Sequence, residues 1–232
     1  IDLDNSICLD LGANIGNHTL FFTKYFKSIY SFEPHPDIFD LLKFNTKNAS
    51  NINIFNFGAS DIDETAIIAR NQKSSMGSSS INFSDTDDAY GKHKIELKKI
   101  DNFINDNVSF IKIDVEGHEL KAFQGLQSCL KNYSPVISLE QHPNEFYNNP
   151  DTQMLTSPSI DYLKKQGYKF FYEIESSMKW KIQVKNRVLG RVLHLIEGIL
   201  FGLPKKKVHE LRTIGEFNRK MYYMLIASKN EL

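Results

Sequence analysis

Asp10, Gly12, Asn14, Gly16 and Glu33 bring two carboxylates, an amide and bare backbone into two short segments, the makings of a ligand site. The first four lie in Asp10-Leu11-Gly12-Ala13-Asn14-Ile15-Gly16, directly after the apolar run Ile7-Cys8-Leu9. Glu33 tips a second apolar run in Ser31-Phe32-Glu33-Pro34. A buried strand, a glycine turn that opens a helix, and a second strand ending in an acid describe a nucleoside-binding site. Glycines without side chains let a ligand approach the backbone, and the acid is placed to accept hydrogen bonds from two ribose hydroxyls.

The spacing narrows the ligand. A dinucleotide fingerprint is G-x-G-x-x-G, with pyrophosphate on the helix N-terminus; here it is G-x-x-x-G, with Asp10 before it and Asn14 inside it. An acid at the loop repels a pyrophosphate but could hold an ammonium group. S-adenosylmethionine has an ammonium, a sulfonium and a ribose, and no phosphate. A tight βα turn that happens to carry glycines is the plainer alternative.

Polar groups recur in two later apolar runs. In Phe110-Ile111-Lys112-Ile113-Asp114-Val115-Glu116-Gly117, alternation puts Phe110, Lys112 and Asp114 on one face. Two charges in a central strand are costly unless paired, so either Lys112 and Asp114 form a structural pair or Asp114 stands at a site mouth with Glu116 beyond it. The next run ends Ser138-Leu139-Glu140-Gln141-His142-Pro143, where Glu140 and His142 share a face and could reach the cleft of Asp114. A histidine or carboxylate there could take the proton that an oxygen nucleophile must lose. Two carboxylates and a histidine could equally bind a divalent metal, but no spacing is specific to one, and no metal ligand is assigned.

These residues need a scaffold of alternating strands and helices. Strands are predicted near 6–11, 28–33, 52–57, 108–114 and 134–140, and helices near 15–26, 36–48, 118–131 and 158–166. Segment 71–93 is rich in Ser, Asn, Gly and Asp and reads as a linker or as a site wall, with Ser75, Met76, Gly77 and Ser78 as candidate substrate contacts. Two late strands, 168–175 and 220–228, look paired.

Four motifs now stand in order: Asp10 through Thr19, Phe32-Glu33-Pro34, Gly58-Ala59-Ser60-Asp61, and Lys112-Ile113-Asp114-Val115-Glu116-Gly117-His118-Glu119. Over roughly residues 6–142 the chain resembles the FkbM family of S-adenosylmethionine-dependent methyltransferases. The resemblance implies an α/β, class I methyltransferase (Rossmann-like) fold: a seven-stranded sheet with an antiparallel last strand. It assigns Asp10, Gly12, Asn14, Gly16 and Asn17 to the cofactor loop, Glu33 to the ribose, and Ala59 or Asp61 to the adenine. Asp114 and Glu116 match its most characteristic motif, with Glu140 and His142 as further catalytic candidates. His18 either lines the acceptor site or faces solvent. The family mostly transfers methyl to oxygen, often on sugars or secondary-metabolite hydroxyls.

Residues 176–219, between the paired strands, depart from the shared pattern. Six lysines and four arginines against three glutamates give this stretch +7, so the rest of the neutral chain carries −7. Val188, Val192, Leu195 and Ile199 oppose Arg187, Arg191 and His194, the pattern of a basic amphipathic helix, and Lys205-Lys206-Lys207 follows. Two readings stay open: a helical cap packed on the core, or contact of 185–207 with anionic lipid headgroups or a lipid-linked phosphorylated glycan.

Zero net charge gives no global field for nucleic acid, and no run of about 18 uncharged apolar residues is present to span a membrane. Cys8 and Cys129 read as free thiols in a reducing compartment. The expectation is one cytoplasmic domain over 1–232, at most peripheral to the inner membrane face, methylating a hydroxyl of a glycan or glycan precursor. A small secondary metabolite as acceptor, or a catalytically silent binding module, is the alternative; a nicotinamide oxidoreductase is disfavoured by the missing third glycine and by Asp10.

Overall fold

The computed structural model describes residues 5–70, 79–82, 90–104, 106–141, 145–148, 150, 155–176, 206–210 and 223–231. Its main sheet begins with β1 (Ile7–Leu11), all five residues of which are buried. β1 pairs in parallel with β2 (Ser28–Phe32) on one side and with β8 (Val108–Ile113) on the other. β3 (Ile52–Phe55) extends the sheet beyond β2, and β9 (Val136–Gln141) extends it beyond β8, both in parallel. Burial on both faces explains the nearly continuous apolar sequence of these strands. Leu9, Leu11, Ile111 and Ile113 are fully enclosed, each contributing about 2 kcal/mol through its burial.

β14 (Tyr223–Ser228) lies antiparallel between β9 and β12 (Phe170–Ser176). Seven strands with an antiparallel last one are therefore present, as the resemblance implied. An eighth was not expected: β13 (Lys206–Glu210) pairs antiparallel with β12 at the sheet edge. Lys206 and Lys207 thus belong to a strand inside the basic insertion. The expected helix around 187–200 lies outside the described residues.

The helices match in place and differ in extent. α1 (Asn17–Phe22) is shorter than the predicted 15–26, while α2 (Pro36–Thr46) starts on its proline, whose missing N–H costs nothing in a first turn. The predicted helix 118–131 is two helices, α3 (Glu119–Gln124) and α4 (Gln127–Asn132). They part at Gly125, where an added Cβ would lie 1.9 Å from the Ser60 carbonyl oxygen, so the chain packs backbone against backbone. α5 (Pro158–Lys165) follows a Ser157 cap that accepts the Ile160 N–H.

Segment 52–93 corrects the sequence reading most. The predicted strand 52–57 ends at Phe55, and β4 (Gly58–Ser60) joins a second sheet with β5 (Glu64–Arg70), β6 (Ser79–Asn82) and β7 (Tyr90–Lys99), ordered β4-β7-β5-β6. Ala66, Ile68, Ile95 and Leu97 form its own small apolar cluster. The stretch read as one loop over 71–93 therefore contains β6 and the start of β7. A two-stranded pairing of β10 (Tyr147–Asn148) with β11 (Leu155–Thr156) precedes α5. Both cysteines are free and buried, and burial pushes the Cys129 thiol up to about 12, as suits inert core thiols.

Candidate functional site

The turn after β1 is held by its own chain. Gly12 has φ +75°, and a Cβ on it would lie 1.8 Å from the Asp114 carbonyl oxygen. Gly16 has φ +91°, and its Cβ would lie 2.7 Å from Leu42 Cδ1. The glycines were expected to leave space for a ligand. At these two positions the space is taken instead by the end of β8 and by α2. The N–H groups of Gly12 and Ala13 both donate to the Phe32 carbonyl, each at 3.0 Å. Asn14 adopts φ +51°, and its Oδ1 accepts the Ile15 N–H at 2.7 Å. A short polar side chain that bonds locally makes this left-handed conformation affordable.

Glu33 closes the arrangement from the end of β2. It is 8% exposed; Oε2 accepts the Asn14 N–H at 2.9 Å and Oε1 accepts the His35 N–H at 2.9 Å. Burial pushes its carboxyl up to about 7 in spite of these two bonds. Each oxygen keeps a further lone pair, which is what a ribose diol needs.

Beneath the turn, Asp10 is fully buried and faces inward. Thr19 Oγ1 donates to Asp10 Oδ2 at 2.6 Å, and Lys112 Nζ stands 3.4 Å from Asp10 Oδ1. Lys112 also lies 3.4 Å from Asp114 Oδ2 and donates to the Gly12 carbonyl at 3.2 Å. Burial works to lower its basicity, yet the two acids outweigh it and hold the ammonium above its ordinary value. The Lys112–Asp114 pair is thus present, with Asp10 as a second acid. A lysine in this position spans three segments: β8, the turn and the strand end.

Asp114 is half-buried just past β8, and Glu116 is exposed with φ +50°. Glu140, half-buried near the end of β9, comes close enough to raise the charge density around Asp114. Burial, and then the charge on Asp114, hold both Glu116 and Glu140 above the usual carboxylate range. Asp114, Glu116 and Glu140 therefore form the one cluster that the sequence proposed, while His142 lies outside the described residues. So do Ser75, Met76, Gly77 and Ser78.

The remaining candidates lie at the periphery. Ala59 is buried in β4, and Asp61 is half-buried beside Ser60 Oγ at 3.1 Å. Asn17 and His18 are exposed at the start of α1, with the His18 ring stacked on Phe22 at 6.2 Å. His118 was not singled out by the sequence: it is buried, its Nε2 lies 3.1 Å from Ser60 Oγ, and burial followed by Lys121 lowers its basicity. Glu119 was also passed over. It is 3% exposed, accepts the Gly117 N–H at 3.0 Å, and is pushed up to about 7 by burial and then by Glu145. The motif Gly117-His118-Glu119 was its signal, but nothing in strand periodicity marks a residue beyond the strand.

Chemically, the turn has no amide cradle at Gly12 and Ala13 for a phosphate, because both N–H groups are spent on Phe32. Lys112 pairs with Asp10 and Asp114, while Glu33, Glu116 and Glu140 are raised carboxyls whose charged form an incoming cation would favour.

A family model described as the methyltransferase FkbM domain matches residues 10–170. Hexuronic acid methyltransferase AglP of Haloferax volcanii is 32% identical over 143 residues, covering 58% of this chain and 55% of that protein. The chain thus spans about half the length of this curated relative. Among solved structures, methyltransferase FkbM from Methylobacillus flagellatus aligns with a TM-score of 0.49 at 18% identity, over 75% of this chain and 41% of that one. Precorrin-6y C5,15-methyltransferase from Geobacter metallireducens aligns at 0.48 and 14%, over 98% and 82%.

Proposed function

The chain belongs to the methyltransferase FkbM domain family, and from that premise we propose that it is an S-adenosylmethionine-dependent O-methyltransferase whose acceptor is a hydroxyl of a glycan or glycan precursor. The observation that carries the cofactor half is the turn after β1: its first amides are committed to Phe32, acids surround it, and Glu33 has acceptor capacity to spare. That donor set fits a phosphate-free, positively charged nucleoside. When bound, S-adenosylmethionine supplies an electrophilic methyl group on a cationic sulfur.

The chain's residues do the rest. Glu33 accepts from the ribose hydroxyls, and Asn14, fixed in its left-handed conformation, shapes the turn beside it. Asp10 and Lys112 hold the turn onto β8 from below. Ala59 and Asp61 border the adenine. Asp114 and Glu140 meet the acceptor hydroxyl: one orients it in line with the sulfur and the other receives its proton. A carboxyl raised by burial and by Asp114 is a better base for this than an ordinary glutamate. His142, with Ser75 through Ser78, is kept as a candidate on the acceptor side.

A sugar-related acceptor is supported by the hexuronic acid methyltransferase relative. Lipid linkage and attachment to an anionic membrane through 185–207 rest on the +7 insertion alone. No helix among the described residues is long and apolar enough to cross a membrane. Incubation with isotope-labelled S-adenosylmethionine and uronic-acid oligosaccharides, read by mass spectrometry, tests the activity. A labelled product that survives mild alkali is the expected methyl ether. An alkali-labile ester would overturn the hydroxyl assignment, and no transfer to any sugar acceptor would overturn the substrate class.

A further inference from the structure

Three side chains of metal-ligating type converge beside the second sheet, outside the residues assigned to cofactor and acceptor. His35 directly precedes α2, Asp37 lies in the first turn of that helix, and His93 lies on β7. One ligand atom from each falls within 4.8 Å of the others. His93 Nε2 is 3.5 Å from Asp37 Oδ2, and the two imidazole rings are 4.5 Å apart between centroids. His35 is 3% exposed, His93 is half-buried and Asp37 faces solvent, so the cluster has a wet side through which an ion could enter.

A structural ion pair alone explains less of this. An exposed Asp37–His93 pair is worth about 1 kcal/mol or less, and it gives no reason for a second, deeply buried imidazole against the first. Ligand geometry gives one. Bonds of about 2.0–2.2 Å in a tetrahedral site put neighbouring ligand atoms roughly 3.3–3.6 Å apart. The His93–Asp37 distance already has that value. The third atom, within 4.8 Å of the other two, has to move inward by side-chain rotation to reach the same value.

We propose that His35, Asp37 and His93 form a binding site for a divalent transition-metal ion, of the zinc or cobalt class, that ties the start of α2 to β7. Two imidazoles and one carboxylate select such ions over magnesium or calcium, which prefer all-oxygen sites. The three ligands leave one position for water. The ion joins segments more than fifty residues apart in sequence, so binding it stabilises the fold by linkage.

Cobalt(II) titration of the chelator-treated full chain, followed by visible absorption, tests the site. Saturation at one ion per chain is expected, with displacement by zinc(II) and none by excess magnesium. Asp37→Ala, at an exposed position, is expected to weaken binding by at least about tenfold, and His93→Gln to do so further. Circular dichroism checks that each variant is folded; should His93→Gln misfold, Asp37→Asn provides the second test. No saturable cobalt binding in the wild type, or equal binding by the folded variants, would overturn the assignment.

Discussion

The turn after β1 and the ends of β8 and β9 share one end of the main sheet, yet they are built in opposite ways. In the turn, partners come from within the chain: the Gly12 and Ala13 amides bond Phe32, the Asn14 N–H bonds Glu33, and Asp10 accepts from Thr19 through Oδ2 and pairs by charge with Lys112 through Oδ1. At the strand ends, burial and then the charge on Asp114 hold the Glu116 and Glu140 carboxyls above the usual range. The first region is complete before any ligand arrives, as a site for a fixed cofactor can be. The second keeps carboxyls above their ordinary range, the property that the proposed proton acceptor needs.

Breaking the first region should cost stability; breaking the second should cost turnover. Lys112→Met carries the largest expected penalty, about 3–5 kcal/mol in urea unfolding, because it strands Asp10 as a buried charge. Adding Asp10→Asn should recover most of it, and no recovery would mean that packing rather than charge holds the turn. Gly12→Ala follows at about 3 kcal/mol, from an added methyl inside the Asp114 carbonyl and a positive φ.

In the second region the order reverses. Asp114→Asn should lower kcat roughly a hundredfold while leaving affinity for S-adenosylhomocysteine within about twofold. A parallel loss of cofactor affinity would erase the distinction between the regions.

The smallest effect is the pH dependence of stability. Glu119 holds its proton up to about 7 in the folded chain and only to the ordinary glutamate value when unfolded. Between those values the native state binds more protons, so stability falls as pH rises and is greatest below the unfolded value. Glu119→Gln keeps an oxygen for the Gly117 N–H and should flatten urea-unfolding stability between pH 5 and 8 by about 2 kcal/mol or less. An unchanged slope would place the source in other acids.

The same contrast governs what the sequence revealed. β1, β2, β8 and β9 were legible because burial on both faces demands continuous apolar runs, and the cofactor turn because glycines at fixed spacing mark a close backbone approach. The purpose of those glycines was not legible: spacing shows that Gly12 cannot carry a side chain, but not that the obstacle is Asp114 rather than a ligand. The second sheet was not legible because the polar stretch from Asn71 interrupts any apolar pattern, and the alternation in Lys94-Ile95-Glu96-Leu97, whose two apolar members are buried, is only four residues long. Asp10 read as an open acid because its partner, Lys112, is a hundred residues away and meets it only through the pairing of β1 with β8. His35 and His93 carried no signal at all, since only the docking of β7 brings them together.

Isothermal titration of S-adenosylhomocysteine into the full chain, with no acceptor present, tests whether the turn after β1 and Glu33 hold the cofactor. Saturable binding at one site is expected, weakened at least about tenfold by Glu33→Gln through loss of one of the two carboxyl acceptors for the ribose hydroxyls. Absence of binding by the wild type, or binding unchanged by Glu33→Gln, would contradict that role.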